Sequence, residues 1–106
     1  MKIDSAQLKA EILSAIAHPN RIKIIEYLAN GPKCACEISP ALKLEQSNLS
    51  RHMKILIQAG IVNYWKDGKK AMYEISNKNV LTILERASIV LKNKIKVRMD
   101  VLNMGN

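Results

Sequence analysis

The sequence predicts a small, mainly α-helical domain of five helices with one two-stranded β-hairpin. Three observations carry this. Apolar residues recur every three or four positions along most of the 106 residues, the period of a helix with one buried face. That period breaks once, over 61–75, where alternation and an Asp67–Gly68 pair mark a hairpin. No Pro/Gly/Ser-rich linker or repeat divides the chain, so 1–106 reads as one domain. Hydrophobic residues make up 48% of it but aromatic ones only 4%, with no Phe. The core must therefore be aliphatic.

Each element has its own signal. Over 4–17, Leu8, Ile12 and Ile16 recur every fourth residue behind Asp4 and Ser5 as caps. Pro19 then suits a first helical position, where no N–H is needed. Ile22, Ile25 and Leu28 form the apolar face of that second helix, which Gly31–Pro32 ends. The third helix is ambiguous. Ser39–Pro40 suits an N-cap and first position, yet a start near Cys36 would leave Pro40 inside the helix, deleting a hydrogen bond. Over 45–59, Leu49, Met53 and Leu56 face inward and Gly60 ends the helix. In the wing-like hairpin, Ala71, Tyr73 and Ile75 share a face and the tip carries Lys66, Lys69 and Lys70. Over 77–103, Val80, Leu84, Ala87, Leu91, Ile95 and Leu102 form a long apolar stripe. That stripe exceeds what the core of so short a chain can cover, which points to a homodimer.

Charge narrows the partner. Seventeen Lys and Arg against nine Asp and Glu give a net charge of +8, which favours a polyanion. No stretch approaches the roughly 20 apolar residues of a bilayer span, and MKIDSAQLKAEIL lacks a signal-peptide run. A cytoplasmic location without membrane association is expected. No Ser/His/Asp arrangement, Gly-rich phosphate loop or paired inward carboxylates favours an enzyme.

Helix, helix, short helix, turn, helix, lysine-tipped hairpin, helix is the layout of a winged helix-turn-helix. AHPNRIKIIEYLANG at 17–31, CACEISPALKLEQSNLSRHMKILIQAGIV at 34–62 and a wing ending in MYEIS at 72–76 follow in that order. With these segments the chain resembles the ArsR/SmtB family of small winged-helix repressors over nearly its whole length. The resemblance implies a sequence-specific DNA-binding repressor on a palindromic double-stranded operator, with 45–59 as recognition helix, 61–75 as wing, and 4–17 and 77–103 as dimerisation helices. Leu8, Ile12, Leu84, Ala87, Leu91 and Ile95 are the expected interface.

The residue types fit that role. Gln46, Ser47, Asn48 and Arg51 are short or planar hydrogen-bonding groups; Arg51 suits a guanine edge, Asn48 or Gln46 an adenine edge. Ser50 and Lys54 suit phosphates, as do Lys66, Lys69 and Lys70 on the wing. His52 shares the face of Leu49 and Met53 and reads as a packed histidine. His18, before Pro19, reads as a local cap.

Cys34 and Cys36 are the remaining feature. The resemblance aligns them with the Cys-x-Cys motif of the arsenic- and cadmium-sensing branch, at the start of the third helix. Thiolates suit soft ions such as As(III) and Cd(II), taken as effectors, with no required cofactor. Residues two apart in a helix point to different sides, so a shared ion needs 34–36 extended or just outside the helix. The arsenic sensors commonly add a third cysteine, where this chain has Ser39. The zinc site that other relatives build on the last helix is absent, since 77–103 holds no His and only Glu85 and Asp100 as acids. Three readings stand open: a metalloid or soft-metal sensor, a thiol redox sensor, and two cysteines without a sensing role. A protein–protein or RNA-binding winged helix is the alternative from another class.

Overall fold

The computed structural model describes residues 2–104. Its elements run α1 (Ser5–Ile16), α2 (Pro19–Tyr27), a 3₁₀ turn (Leu28–Asn30), β1 (Lys33–Cys34), α3 (Ala35–Leu42), α4 (Gln46–Gln58), β2 (Val62–Asp67), β3 (Lys70–Ile75) and α5 (Asn79–Met104). The helices start where capping chemistry places them. The Asp4 carboxylate accepts the Ala6 and Gln7 N–H groups at 3.0 and 3.3 Å. His18 Nδ1 accepts from Asn20 N–H at 3.0 Å, one residue past Pro19. Each cap satisfies amide donors that have no partner inside the helix.

The core is aliphatic, as the composition requires. Ile24 and Ile25 from α2, Leu28 from the 3₁₀ turn, Ile38 from α3, and Leu49, Met53 and Leu56 from α4 are its fully buried centre. Tyr73 of β3 is the aromatic residue that joins them. Burial pushes its phenol pKa up, and the neighbouring Tyr64 adds to this.

Three strands form the sheet, where the hairpin reading had two. They are antiparallel in the order β1–β3–β2, with Lys33 opposite Tyr73 and Cys34 opposite Met72. β1 is two residues long, too short for alternation to reveal it. The hairpin turn also differs from expectation. Asp67 pairs with Lys70, so the loop is Gly68–Lys69. Gly68 has φ +60° and Lys69 is not among the residues of positive φ, the pattern of a type II′ turn with glycine first.

α4 is bracketed by two similar closures. At its C-terminal end the Gly60 N–H bonds Ile57 O and the Ile61 N–H bonds Leu56 O, both at 3.0 Å. Before its N-terminus, α3 ends the same way: Lys43 N–H bonds Pro40 O at 3.3 Å and Leu44 N–H bonds Ser39 O at 3.0 Å. This paired pattern is a Schellman closure, with its pivot residue left-handed. Gly60 adopts φ +76° at no steric cost, whereas Lys43 sits at φ 55° with a Cβ to accommodate. Leu44 and Ile61, the next residues, are buried, so both ends of α4 are pinned to the core.

α5 stands apart. Val80 and Leu84 are buried, but every residue from Glu85 to Met104 is exposed. The radius of gyration is 17.1 Å, against about 13 Å for a compact domain of this length. The projecting helix accounts for the excess.

A left-handed Cβ residue costs about 1–2 kcal/mol, partly offset by the greater unfolded-state freedom of glycine. Lys43→Gly is therefore expected to raise stability by up to about 1 kcal/mol. Lys43→Val should lower it, since a β-branched residue tolerates this conformation least. Urea unfolding of the two variants beside the parent checks both signs.

Candidate nucleic-acid interface

α4 buries one face and presents the other. Leu49, Met53 and Leu56 point into the core. At 3.6 residues per turn, Ser47, Arg51 and Lys54 lie on the opposite side. Gln46 and Ser50 flank that ridge on one side and Asn48 on the other. All six are exposed. Lys66, Lys69 and Lys70 are likewise exposed, together at the tip of the β2–β3 hairpin. Both cationic groups belong to one continuous stretch, because Ala59–Ile61 leads directly from α4 into β2.

One arginine fixes α4 against the preceding helices. Arg21 Nε donates to Ala15 O at 2.6 Å, and Nη2 to Ser14 O at 3.5 Å. Those carbonyls lie in the last turn of α1, where acceptors lack an intrahelical donor and the helix dipole favours a cation. Arg21 Nη1 contacts His52 Nδ1 on α4 at 3.2 Å. A guanidinium only donates, so Nδ1 must accept and the imidazole is neutral with its proton on Nε2. The His18 ring lies against it, centroids 4.6 Å apart. Burial is the main cause that lowers the His52 pKa from 6.5, followed by the adjacent His18, Arg21 and Arg51. The sequence reading gave both histidines local roles. It treated Arg21 only as part of a motif. It also passed over Tyr64 and Trp65, two large aromatic residues exposed on β2.

The cysteines meet at the start of α3. The helix begins at Ala35, which settles the ambiguity in favour of the early start and leaves Pro40 inside. Pro40 has no N–H, so the Cys36 carbonyl loses its i+4 donor. In exchange, Glu37 accepts the Cys34 N–H at 3.1 Å and holds the first turn. Cys34 has extended φ −84° and ψ 156°, just outside the helix, while Cys36 is its second residue. This break in conformation lets the two sulfur atoms join as a disulfide across a Cα–Cα distance of 5.1 Å. Cys34 is 1% exposed, and Cys36 faces solvent. The Ser39 hydroxyl donates to Leu44 O and is committed to the turn before α4. Among the described residues, no group of three or more His, Cys, Asp and Glu is placed to hold a metal ion. Only after reduction would the pair offer two thiolates, and it would not by itself offer three.

The expected interface residues divide. Leu8 and Ile12 on α1 are 47% and 43% exposed, Leu91 and Ile95 on α5 56% and 52%. Ala87 is also exposed. Leu84 is instead buried in the chain's own core and belongs to no free face. No helix among the described residues is long and apolar enough to cross a membrane.

A three-stranded sheet, a helix pinned at both ends with a polar outer face, and a lysine-tipped hairpin define a winged helix-turn-helix protein. The sequence model of a family described as "Bacterial regulatory protein, arsR family" matches residues 18–64. The chain is 32% identical over 79 residues to the arsenical resistance operon repressor of Staphylococcus xylosus, covering 74% of this chain and 76% of that one. It is 31% identical over 83 residues to the transcriptional repressor SmtB homolog of Synechocystis, and spans 63% of that protein's length. The crystal structure of Mycobacterium tuberculosis Rv0081 superposes with a TM-score of 0.81 at 32% identity, covering 92% of this chain and 99% of that one. The chain belongs to the arsR family of bacterial regulatory proteins.

His52 gives a pH signature. Because its folded pKa lies below the unfolded value of 6.5, its contribution to stability is complete above that pH. It is lost as pH falls through the lowered folded value. The parent is expected to lose more thermal stability between pH 7.5 and 5 than His52→Gln, whose side chain can still accept from Arg21. Equal losses in paired melts would remove His52 as the titrating group.

Proposed function

We propose that the protein is a homodimeric, DNA-binding transcriptional repressor whose hold on its operator responds to a soft ion at Cys34 and Cys36. The observation that carries the DNA reading is the exposed Ser47–Arg51–Lys54 ridge of α4, opposite a fully buried face. Such a helix fits the major groove and offers its first turns to base edges. Arg51 reads bases together with Gln46, Ser47 or Asn48. Ser50, Lys54 and the wing lysines Lys66, Lys69 and Lys70 hold phosphates. A cytoplasmic, non-enzymatic role goes with this.

The second copy completes the molecule. Helices in proteins draw most of their stability from packing of an apolar face, and α5 from Glu85 onward has no such packing within the chain. A second chain burying Ala87, Leu91 and Ile95 with Leu8 and Ile12 of α1 supplies the missing packing. Two-fold symmetry then sets the two α4 helices about 34 Å apart, one turn of DNA.

Regulation follows from where the cysteines sit. α3 starts at the pair and runs into the turn that pins α4. A soft ion on both thiolates favours one geometry of that start. It releases the operator to the extent that this geometry binds DNA less well. The disulfide between Cys34 and Cys36 supports a second reading, in which oxidation of the pair serves as the signal.

Fluorescence anisotropy on a duplex from the protein's own promoter tests the first part. Affinity should fall steeply with salt, and Arg51→Ala should cost specific binding about 1–3 kcal/mol. Sequence preference that survives Arg51→Ala intact would remove α4 as the reading element. Titration with As(III), Cd(II) and a thiol oxidant, repeated on Cys34→Ser, tests the effector. Leu91→Glu should sediment as a monomer; an unchanged dimer would exclude α5 from the interface.

A further inference from the structure

The disulfide between Cys34 and Cys36 has two unlike ends. Cys34 is buried in the core, whereas Cys36 faces solvent in the first turn of α3. Thiol–disulfide exchange needs access to the sulfur that reacts, so a reagent from solution meets Cys36. Position favours the same sulfur. The positive end of a helix stabilises an anion, and a thiolate there forms at lower pH than a free one. The pair also lies close to the DNA-facing end of α4. Ala35, between the two cysteines, borders a cavity of about 240 Å³ together with Gln46, Leu49, Ser50 and Tyr73. Gln46 and Ser50 are exposed residues that the reading above assigns to DNA.

We propose that Cys36 is a site of S-thiolation by a low-molecular-weight thiol bearing carboxylates, that Cys34 is the sulfur that resolves it, and that the adduct opposes DNA at the adjacent first turn of α4. It rests on the DNA reading and on the oxidation reading of the pair. A small disulfide, RSSR, exchanges with the reduced Cys36 thiolate. The Cys36–SR bond forms, the RS–SR bond breaks and RS⁻ leaves. The Cys34 thiolate then attacks Cys36 Sγ, the Cys34–Cys36 disulfide forms and a second RS⁻ leaves. Two electrons pass from the pair to RSSR, and the two thiol protons go to the departing RS⁻ groups. Cys34 needs no solvent access for its step, because the chain holds its target beside it. Between the two steps the group on Cys36 carries its carboxylates next to Gln46 and Ser50, on the side where a DNA phosphate would lie. Like charges set against each other disfavour a complex.

The test uses the full chain, reduced and kept anaerobic, mixed with glutathione disulfide and quenched with acid. Peptide mass spectrometry with fragmentation then places the adduct. The parent should pass through an adduct on Cys36 and end as the disulfide with no glutathione retained. Cys34→Ser should stop at one glutathione on Cys36. Cys36→Ser, with far-UV circular dichroism matching the parent, should take up glutathione at least about tenfold more slowly than Cys34→Ser. An adduct on Cys34 in the parent, which needs no variant to observe, would overturn the assignment, as would equal rates in the two variants. An adduct on Cys36 that persists in the parent would remove Cys34 as the resolving sulfur. Anisotropy on the operator duplex then compares Cys34→Ser with and without its glutathione, and the adduct should weaken binding by about tenfold. Equal affinity would overturn the effect on DNA. Failure of every form to bind the duplex, the reduced parent included, would overturn the DNA reading itself.

Discussion

The arrangement of the outer helix face depends on a single guanidinium. Arg21 reaches from α2 to the last carbonyls of α1 and to the His52 imidazole of α4. Three helices that otherwise meet mainly through aliphatic side chains gain a directional link. Aliphatic packing is tolerant of small rotations, because its energy follows area more than angle. A guanidinium fork is not tolerant, since its donors have fixed directions. The rotation of α4 about its own axis is set by its buried Leu49, Met53 and Leu56 and reinforced by the Arg21–His52 link. That rotation decides whether Ser47, Arg51 and Lys54 point outward or sideways. The carbonyls that Arg21 takes also need a donor, so the link answers a requirement of α1 as much as one of α4.

Position along the axis is set separately. The Lys43 and Gly60 closures stop α4 at both ends, each followed by a buried aliphatic residue that anchors the exit. Strain is accepted at the end where the cysteine-bearing helix arrives, because Lys43 carries a Cβ where glycine would carry none. α3 is also the helix with an internal proline and an unpaired Cys36 carbonyl. The element between the cysteines and α4 is thus the least regular helix of the fold. Low local regularity is where alternative geometries are cheapest, and a two-state response needs such an element.

The sequence made the helices and their order legible because each has a strong apolar period and a capping residue. It made the outer face of α4 legible for the same reason: Leu49, Met53 and Leu56 leave only one direction for Arg51. What it could not reveal were features decided by pairing across long separations. β1 is two residues whose identity as a strand exists only through Tyr73 and Met72. The hairpin loop lies one residue further on, because Asp67 pairs with Lys70 at the end of β2. Pro40 looked like a helix start, since the rule against interior proline is local. The Glu37 bond to Cys34 and the closure at Lys43 lie on either side of it and hold the helix through it. Leu84 sits on the same stripe as Leu91, and only tertiary packing separates the buried turn of α5 from the exposed ones.

The hidden strand also sets what the cysteine pair can reach. Read along the chain, Cys34 and Cys36 are two thiols with a serine where a third donor would fall. Ser39 is a hard oxygen already bound to the turn, so the linear reading ends at two donors. Read across the sheet, Cys34 stands directly opposite Met72, a residue distant in sequence. β1 ties the cysteine-bearing start of α3 to β3. Movement at that junction reaches α4 through the turn at Lys43 and reaches the wing through β3 itself. A change of state at the cysteine pair therefore bears on both basic elements.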